Sequence, residues 1–307
     1  TGYQFEIDPS SRAFSGGMYD EARRGGLYPL SRNLKGQKAI NNGKWNHCRI
    51  EAIGSSIRTW INDIQCSNLT DEMSSTGIIA LQVHSVLPQN ENKTVRWRNI
   101  VIKTDNLESE RIRSDPTVPE LSYLINKLSP GEIRRGWRLL WDGKTSKGLK
   151  TINGDPFAES GWAIKNGVLT IHGSDKVKGR PLDIITEDLY SRFELELQFM
   201  ISKGANSGIK YFVDPNLIAN EGKAIGPEFQ ILDDAFHTDA KLGIKGNRTL
   251  GSLYDLIPAV NLSVSGRVKQ FKGIEKWNNA RIVVNNNHVS HWLNNEMLIQ
   301  YDRHSQI

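Results

Sequence analysis

Seven residues of this chain recur at one fixed offset. Lys44, Trp45, Asn46, Arg49, Ile50, Trp60 and Asn62 reappear 232 positions later as Lys276, Trp277, Asn278, Arg281, Ile282, Trp292 and Asn294, inside a window of 19 residues. Random composition gives about one identity in such a window, so the chain carries two copies of one unit. Upstream, Gln4-Phe5-Glu6-Ile7-Asp8 parallels Glu228-Phe229-Gln230-Ile231-Leu232-Asp233, and Gly17-Met18-Tyr19-Asp20 parallels Ser252-Leu253-Tyr254-Asp255. The offset far exceeds the connector between the copies. The expected division is therefore the later part of a first domain at 1–105, a linker at 106–135, and a second domain at 136–307. Nothing after Tyr301 matches Gly77 to Lys103, so the second copy is expected to lack its last strands.

Composition narrows the class. No apolar run in the 307 residues approaches the roughly 18 that a membrane helix needs. The net charge of +5 comes from scattered residues whose densest groupings are the pairs Arg23-Arg24 and Arg134-Arg135. A nucleic-acid footprint needs clustered charge with aromatic residues between, so no nucleic-acid partner is expected. Two cysteines, Cys48 and Cys66, make no disulfide framework, and they are expected on neighbouring strands, too far apart to bond. No leader peptide is visible; the chain opens on strand-like Tyr3-Gln4-Phe5-Glu6-Ile7.

Period-two alternation dominates. Phe193-Glu194-Leu195-Glu196-Leu197-Gln198-Phe199 alternates apolar with polar throughout. Arg281-Ile282-Val283-Val284 reads as a strand, 285–287 as a turn, and 288–293 as the returning strand; Asn294-Asn295 turns again before Met297-Leu298-Ile299. Many short strands with Gly and Asn turns predict an all-β sandwich or jelly roll, in two tandem and incomplete units. Within the connector a short helix is expected at 121–125. A second helix start is marked by Ser129 as N-cap, Pro130 at the first position and Glu132 at the third.

The same alternation nominates a polar face. Glu228 and Gln230 project together, opposite Phe229 and Ile231, and Lys210 lies opposite Ile209 and Tyr211. In the first copy Gln4, Glu6 and Asp8 share a face, as do Gln82 and His84. Tyr19-Asp20 and Tyr254-Asp255 follow Gly-containing turns and are expected at a sheet rim. Such a groove suits a hydroxyl-rich ligand; the competing reading is an ordinary solvated sheet face. His288 and His291, three apart on a strand, point to opposite faces, so no shared metal is indicated.

At this point an ordered series of motifs resembles one family. Gly136-Trp137-Arg138-Leu139-Leu140-Trp141-Asp142-Gly143 opens it, followed by Trp162-Ala163-Ile164-Lys165-Asn166-Gly167, Asn206-Ser207-Gly208-Ile209, Gly226-Pro227-Glu228-Phe229-Gln230, Leu253-Tyr254-Asp255 and Lys276-Trp277-Asn278. The first copy matches the later part through Trp45-Asn46, Trp60-Ile61-Asn62, Ile79-Ala80-Leu81-Gln82-Val83-His84 and Val95-Arg96-Trp97-Arg98. The series resembles the 3-keto-disaccharide hydrolases, also called glycosyl hydrolases. The resemblance implies a concanavalin A-like jelly roll with a concave glycan-facing surface. It further implies a secreted or periplasmic protein, often lipid-anchored, that acts on an oligosaccharide or glycoside. No cofactor is expected, and the sequence does not indicate a divalent metal, which stays open. The usual Phe of the opening motif is Trp141 here.

A ketone at C3 of a glucoside acidifies the C2 proton, so the glycosidic bond can break by elimination. That route needs a base, an electrophile for the enolate oxygen and an acid for the leaving oxygen. The resemblance nominates Glu228 or Asp233 as base, Lys210 as enolate stabiliser and Tyr254 or Asp255 as proton donor, with Gln230 and Asn206 touching substrate. The matching first-copy set is Glu6, Asp8, Tyr19, Asp20 and His84, with Gln4, Gln82, Arg23 and Arg24 as binding residues and Arg23 or Arg24 also as the electrophile. Direct hydrolysis by paired carboxylates, a non-catalytic carbohydrate-binding module and a structural surface protein are the alternatives.

Overall fold

The computed structural model describes residues 2–83, 94–154, 161–173, 181–214, 218–219 and 223–305. It divides into two compact units, Thr1–Leu124 and Ile125–Ile307. Both are built of β-strands, the class that the alternation predicts.

The first unit holds a three-stranded antiparallel sheet, β1 (Gly2–Phe5), β2 (Met18–Glu21) and β3 (Gly25–Tyr28). A second sheet runs β4 (Cys48–Ile53), β5 (Ser56–Ile61), β6 (Ile64–Thr70) and β7 (Leu121–Ser122), with β7 parallel to β6. Met18, Leu27, Tyr28, Ile57, Ile61, Cys66 and Leu69 form its core with Val118 and Leu121. Each of these large side chains contributes about 1.5–3 kcal/mol by leaving water.

Several expectations are corrected here. The residues at 121–125 form no helix; Leu121–Ser122 make a short strand, because Leu121 is buried against Leu69 and Tyr123 N–H donates to Thr70 O. The 112–123 stretch of the connector packs on the first unit: Asp115 N–H donates to Gln65 Oε1 and the Tyr28 hydroxyl to Pro119 O. Cys48 and Cys66 lie on β4 and β6 with β5 between them, both as free thiols. Residues 77–83 and 94–103, which carry much of the family-like sequence of the first copy, join no ladder among the described residues, and Ile78, Val83 and Val101 are exposed.

The second unit begins at helix Pro130–Arg134, where Ser129 and Glu132 form the expected reciprocal capping box. Three two-stranded antiparallel pairs follow: β8 (Leu149–Thr151) with β11 (Ile184–Thr186), β9 (Trp162–Lys165) with β10 (Val168–Ile171), and β14 (Ile218–Ala219) with β15 (Lys223–Ala224). Its main sheet runs β12 (Phe193–Phe199), β17 (Asn278–Asn285), β18 (His288–Leu293) and β19 (Glu296–Asp302). Against it packs the pair β13 (Asn206–Lys210) and β16 (Glu228–Leu232). Phe229 and Ile231 from the pair meet Ala280, Ile282, Val284, Val289, Leu293 and Leu298 from the sheet, giving a two-layer core. His291 is fully buried there, its Nε2 2.8 Å from the Tyr211 hydroxyl, whereas His288 is exposed on the opposite face.

The repeated residues have a structural reason. Asn62 Nδ2 donates to Asn46 Oδ1 at 2.8 Å, and Asn294 Nδ2 to Asn278 Oδ1 at the same distance. Asn62 and Asn294 both sit at positive φ, 50° and 48°, and each accepts a backbone N–H from the start of the facing strand. The recurring tryptophans pair with the recurring arginines, Arg49 with Trp60 and Arg281 with Trp292.

Candidate functional site

The site is organised by the first residue of β16. Glu228 lies opposite Lys210 of β13, so both side chains rise from one face. On the other edge of β16, Phe229 bridges Leu253, and Tyr254 N–H donates to Glu228 O at 3.0 Å. Glu228 therefore stands between Lys210 and Tyr254. Its side chain lies across Gly208, where a Cβ would overlap the carboxylate. Partial burial pushes the Glu228 carboxyl up; Lys210 opposes this, and the charges of Asp183 and Asp239 push it up further. Among the described residues nothing donates a hydrogen bond to that carboxylate.

The flanking groups are held in place. Lys210 Nζ is 3.1 Å from Asp183 Oδ2, which also accepts Ala224 N–H at 2.9 Å. The Tyr254 hydroxyl donates to Asp239 Oδ2 at 3.0 Å. Burial first, then that bond, raises the phenol's proton affinity. Asp239 lies in the turn Thr238–Lys241, capped by His237 Nδ1. Arg248 grips Asp239 at 2.9 Å and both oxygens of Asp255 at 2.8 and 3.1 Å, with its guanidinium 5.3 Å from the centre of the Tyr254 ring. These bonds hold the Asp255 carboxyl below its ordinary range. The arrangement offers a carboxylate with raised proton affinity, an adjacent ammonium and a protonated phenol.

Of the expected residues, then, the structure brings together Glu228, Lys210, Tyr254 and Asp255. It places others elsewhere. Gln230 is 1% exposed: the segment after Gly251 lies along β16, with Gly251 N–H donating to Gln230 O, and this covers the residue that alternation would leave open. The buried Asp233 carboxylate accepts Gly204 N–H and Ala235 N–H, so it shapes a turn. Asn206 is exposed at the far end of β13, opposite Leu232.

In the first unit Gln4 faces Tyr19, and Gln4 Nε2 donates to Gln82 Oε1, whose own amide donates to Glu21. β1 ends at Phe5, so the shared face expected for Gln4, Glu6 and Asp8 breaks there; Arg12 instead binds Glu6 at 3.1 Å and Asp8 at 2.6 Å. Burial would raise Asp8, but the Ser10 and Arg12 bonds outweigh it and hold the carboxyl low. Asp20 is fully enclosed: Arg23 Nε and Arg24 Nε each approach at 2.6 Å, and Arg24 reaches on to Asp71, which also takes the Tyr3 hydroxyl. His84 lies outside the described residues.

Asp183, Asp239 and Arg248 escape a reading based on strand alternation, because all three stand outside the ladder that carries Glu228. Their only local signal is a charged residue beside a turn-forming stretch, such as Gly246-Asn247-Arg248. Among the described residues no group of three or more His, Cys, Asp or Glu is arranged to hold a metal ion, and no helix is long and apolar enough to cross a membrane.

A curated protein of Bacteroides thetaiotaomicron VPI-5482, named 3-keto-disaccharide hydrolase, is 35% identical over 177 residues, 54% of this chain. The chain spans 58% of that relative's length. Two crystal structures from Parabacteroides distasonis ATCC 8503, of proteins assigned provisionally to the glycosyl hydrolases, are also similar. One is 27% identical with a TM-score of 0.48, covering 59% of this chain and 78% of the other. The second is 26% identical with a TM-score of 0.37, covering 50% and 72%. The profile of the family described as the 3-keto-alpha-glucoside-1,2-lyase-like domain matches residues 1–103 and 136–307, everything but the connector. This chain belongs to the 3-keto-alpha-glucoside-1,2-lyase-like domain family.

Proposed function

We propose that the second unit cleaves 3-keto-glycosides by elimination, with Glu228 as the base. The observation that carries this is the position of Glu228, between an ammonium and a phenol, with its proton affinity raised by burial. A base for a weakly acidic carbon proton works best when its own affinity approaches the working pH. Glu228 takes the proton from C2, and the electron pair of that C–H bond forms C1=C2 as the C1–O bond breaks. The enolate charge passing through the C3 oxygen is met by Lys210, whose ammonium Asp183 holds in place. Tyr254 gives its proton to the departing oxygen, and Arg248, beside the ring, steadies the phenolate that results. Addition of water across C1=C2 then completes a hydrolysis.

The substrate class is a hydroxyl-rich glycoside oxidised at C3, of the kind that extracytoplasmic glycan use supplies. The experiment is turnover of methyl 3-keto-α-glucoside carrying deuterium or hydrogen at C2. Elimination through Glu228 gives a primary isotope effect and a loss of about 10²- to 10⁴-fold for Glu228→Gln. Cleavage with no isotope effect and full activity of Glu228→Gln would replace this mechanism with direct hydrolysis.

A further inference from the structure

The two copies can be superposed by their hydrogen bonds, without reference to side chains. In the second unit Gln230 N–H donates to Ser252 O at 3.1 Å, Gly251 N–H donates to Gln230 O at 2.8 Å, and Phe229 bridges Leu253. In the first unit Glu6 N–H donates to Gly17 O at 3.1 Å, Gly16 N–H donates to Glu6 O at 2.9 Å, and Phe5 pairs with Met18. Gly16 and Gly251 share a positive φ, 85° and 81°. Register thus equates Phe5 with Phe229, Tyr19 with Tyr254 and Glu6 with Gln230. It equates Gln4 with Glu228. The place that holds the carboxylate in one copy holds an amide in the other.

Among the carboxylates on and beside the strands that carry Gln4, namely Glu6, Asp8, Asp20, Glu21 and Asp71, none stands in its place. Glu6 occupies the covered position of Gln230 and is bound by Arg12, as is Asp8. Asp20 and Asp71 are buried in a network with Arg23, Arg24 and Tyr3. Of these, Glu21 is exposed and, among the described residues, accepts from the Gln82 amide; its counterpart by register in the second unit is Leu256. An amide cannot take a proton from carbon at neutral pH, yet it donates to and accepts from sugar hydroxyls. Gln4, Gln82 and the retained Tyr19 keep that capacity on one face.

We infer that the two copies have divided the work: the second unit cleaves, and the first binds the same class of saccharide without cleaving it. The inference rests on the reading of Glu228 as the base. Its test uses the full chain carrying Glu228→Gln, titrated calorimetrically with methyl 3-keto-α-glucoside and assayed for cleavage of the same compound. Two saccharides bound per chain, with turnover down at least about 100-fold, is the expected result. Adding Gln4→Ala to that variant should remove one of the two sites. A single site per chain overturns the binding role. Residual turnover that Glu21→Gln abolishes overturns the silence of the first unit. If the unaltered chain binds two saccharides but cleaves none, Glu228 as base is what fails, and the binding role of the first unit stands.

Discussion

Lys210 Nζ lies 3.1 Å from Asp183 Oδ2, and the same oxygen accepts the backbone N–H of Ala224. That carboxylate ties an ammonium on β13 to the hairpin that β15 closes, so it sets where the positive charge stands relative to Glu228. Asp183 is a positioning residue on this geometry. Asp183→Asn keeps the shape and weakens a charge-assisted contact, a change of about 1.5–3 kcal/mol. Turnover should drop about 10- to 100-fold, with KM moving much less, because enolate charge develops after substrate has bound. Equal changes in KM and kcat would show a merely structural contact.

Gly208 serves Glu228 by having no side chain. A Cβ there would overlap the carboxylate, while the φ of this glycine is one that any residue adopts. Gly208→Ala should therefore fold normally and push the flexible Glu228 head outward into water. Burial is the main reason its proton affinity is raised, so outward movement lowers it. Two readouts follow: kcat falls at neutral pH, and the acid limb of the pH profile, where the base becomes protonated, moves to lower pH. A pH profile identical to that of the unaltered protein would contradict this account.

Sequence alone makes the strands around the repeat legible, and the reason is local. Arg281 to Ile299 folds as two hairpins whose turns need Asn at positive φ, at Asn286, Asn294 and Asn295, and alternation sets the faces between them. Glu228 and Lys210 are legible for the same reason, being neighbours in a ladder. Gln230 is not. Its cover is the 251–254 segment, about twenty residues further on, and period-two reasoning treats one strand at a time. Asp239 and Arg248 reach Tyr254 through loop geometry that no period describes. The strand at Leu121–Ser122 was hidden likewise, because two residues acquire a ladder only from the distant edge of β6.

His291 makes acid stability predictable in sign. It is fully buried against Tyr211, whose hydroxyl also meets Tyr301 at 2.7 Å, and burial pushes its pKa down from 6.5 to about 4. The unfolded chain therefore takes up the proton first. Stability from this residue is complete above pH 6.5 and is lost as pH falls toward 4, by about 3 kcal/mol over the window. Urea unfolding at pH 7, 5.5 and 4.5 measures the slope. His291→Gln should be less stable at pH 7 but should lose less stability across that window. An unchanged slope would assign the acid sensitivity to other groups.

The repeated asparagines predict that the two units respond alike to the same change. Asn294 combines two demands: a left-handed backbone, with φ 48°, and a side chain that donates to Asn278 Oδ1 and to Gln270 O while accepting Asn279 N–H. Asn meets the first better than most residues, and its amide alone meets the second. Asn294→Gly keeps the backbone and loses the bonds; Asn294→Ala loses the bonds and strains the backbone as well. With buried partners left unsatisfied, the glycine variant should lose about 1–3 kcal/mol, and the alanine variant about 1 kcal/mol more. Asn62 makes the matching three bonds, to Asn46, to His47 N–H and, in place of Gln270 O, to Ala39 O, and holds nearly the same φ, so its two variants should fall in the same order. Denaturant unfolding of the four variants decides the matter: an alanine variant as stable as its glycine counterpart at either site would mean that backbone conformation is not what maintains asparagine there.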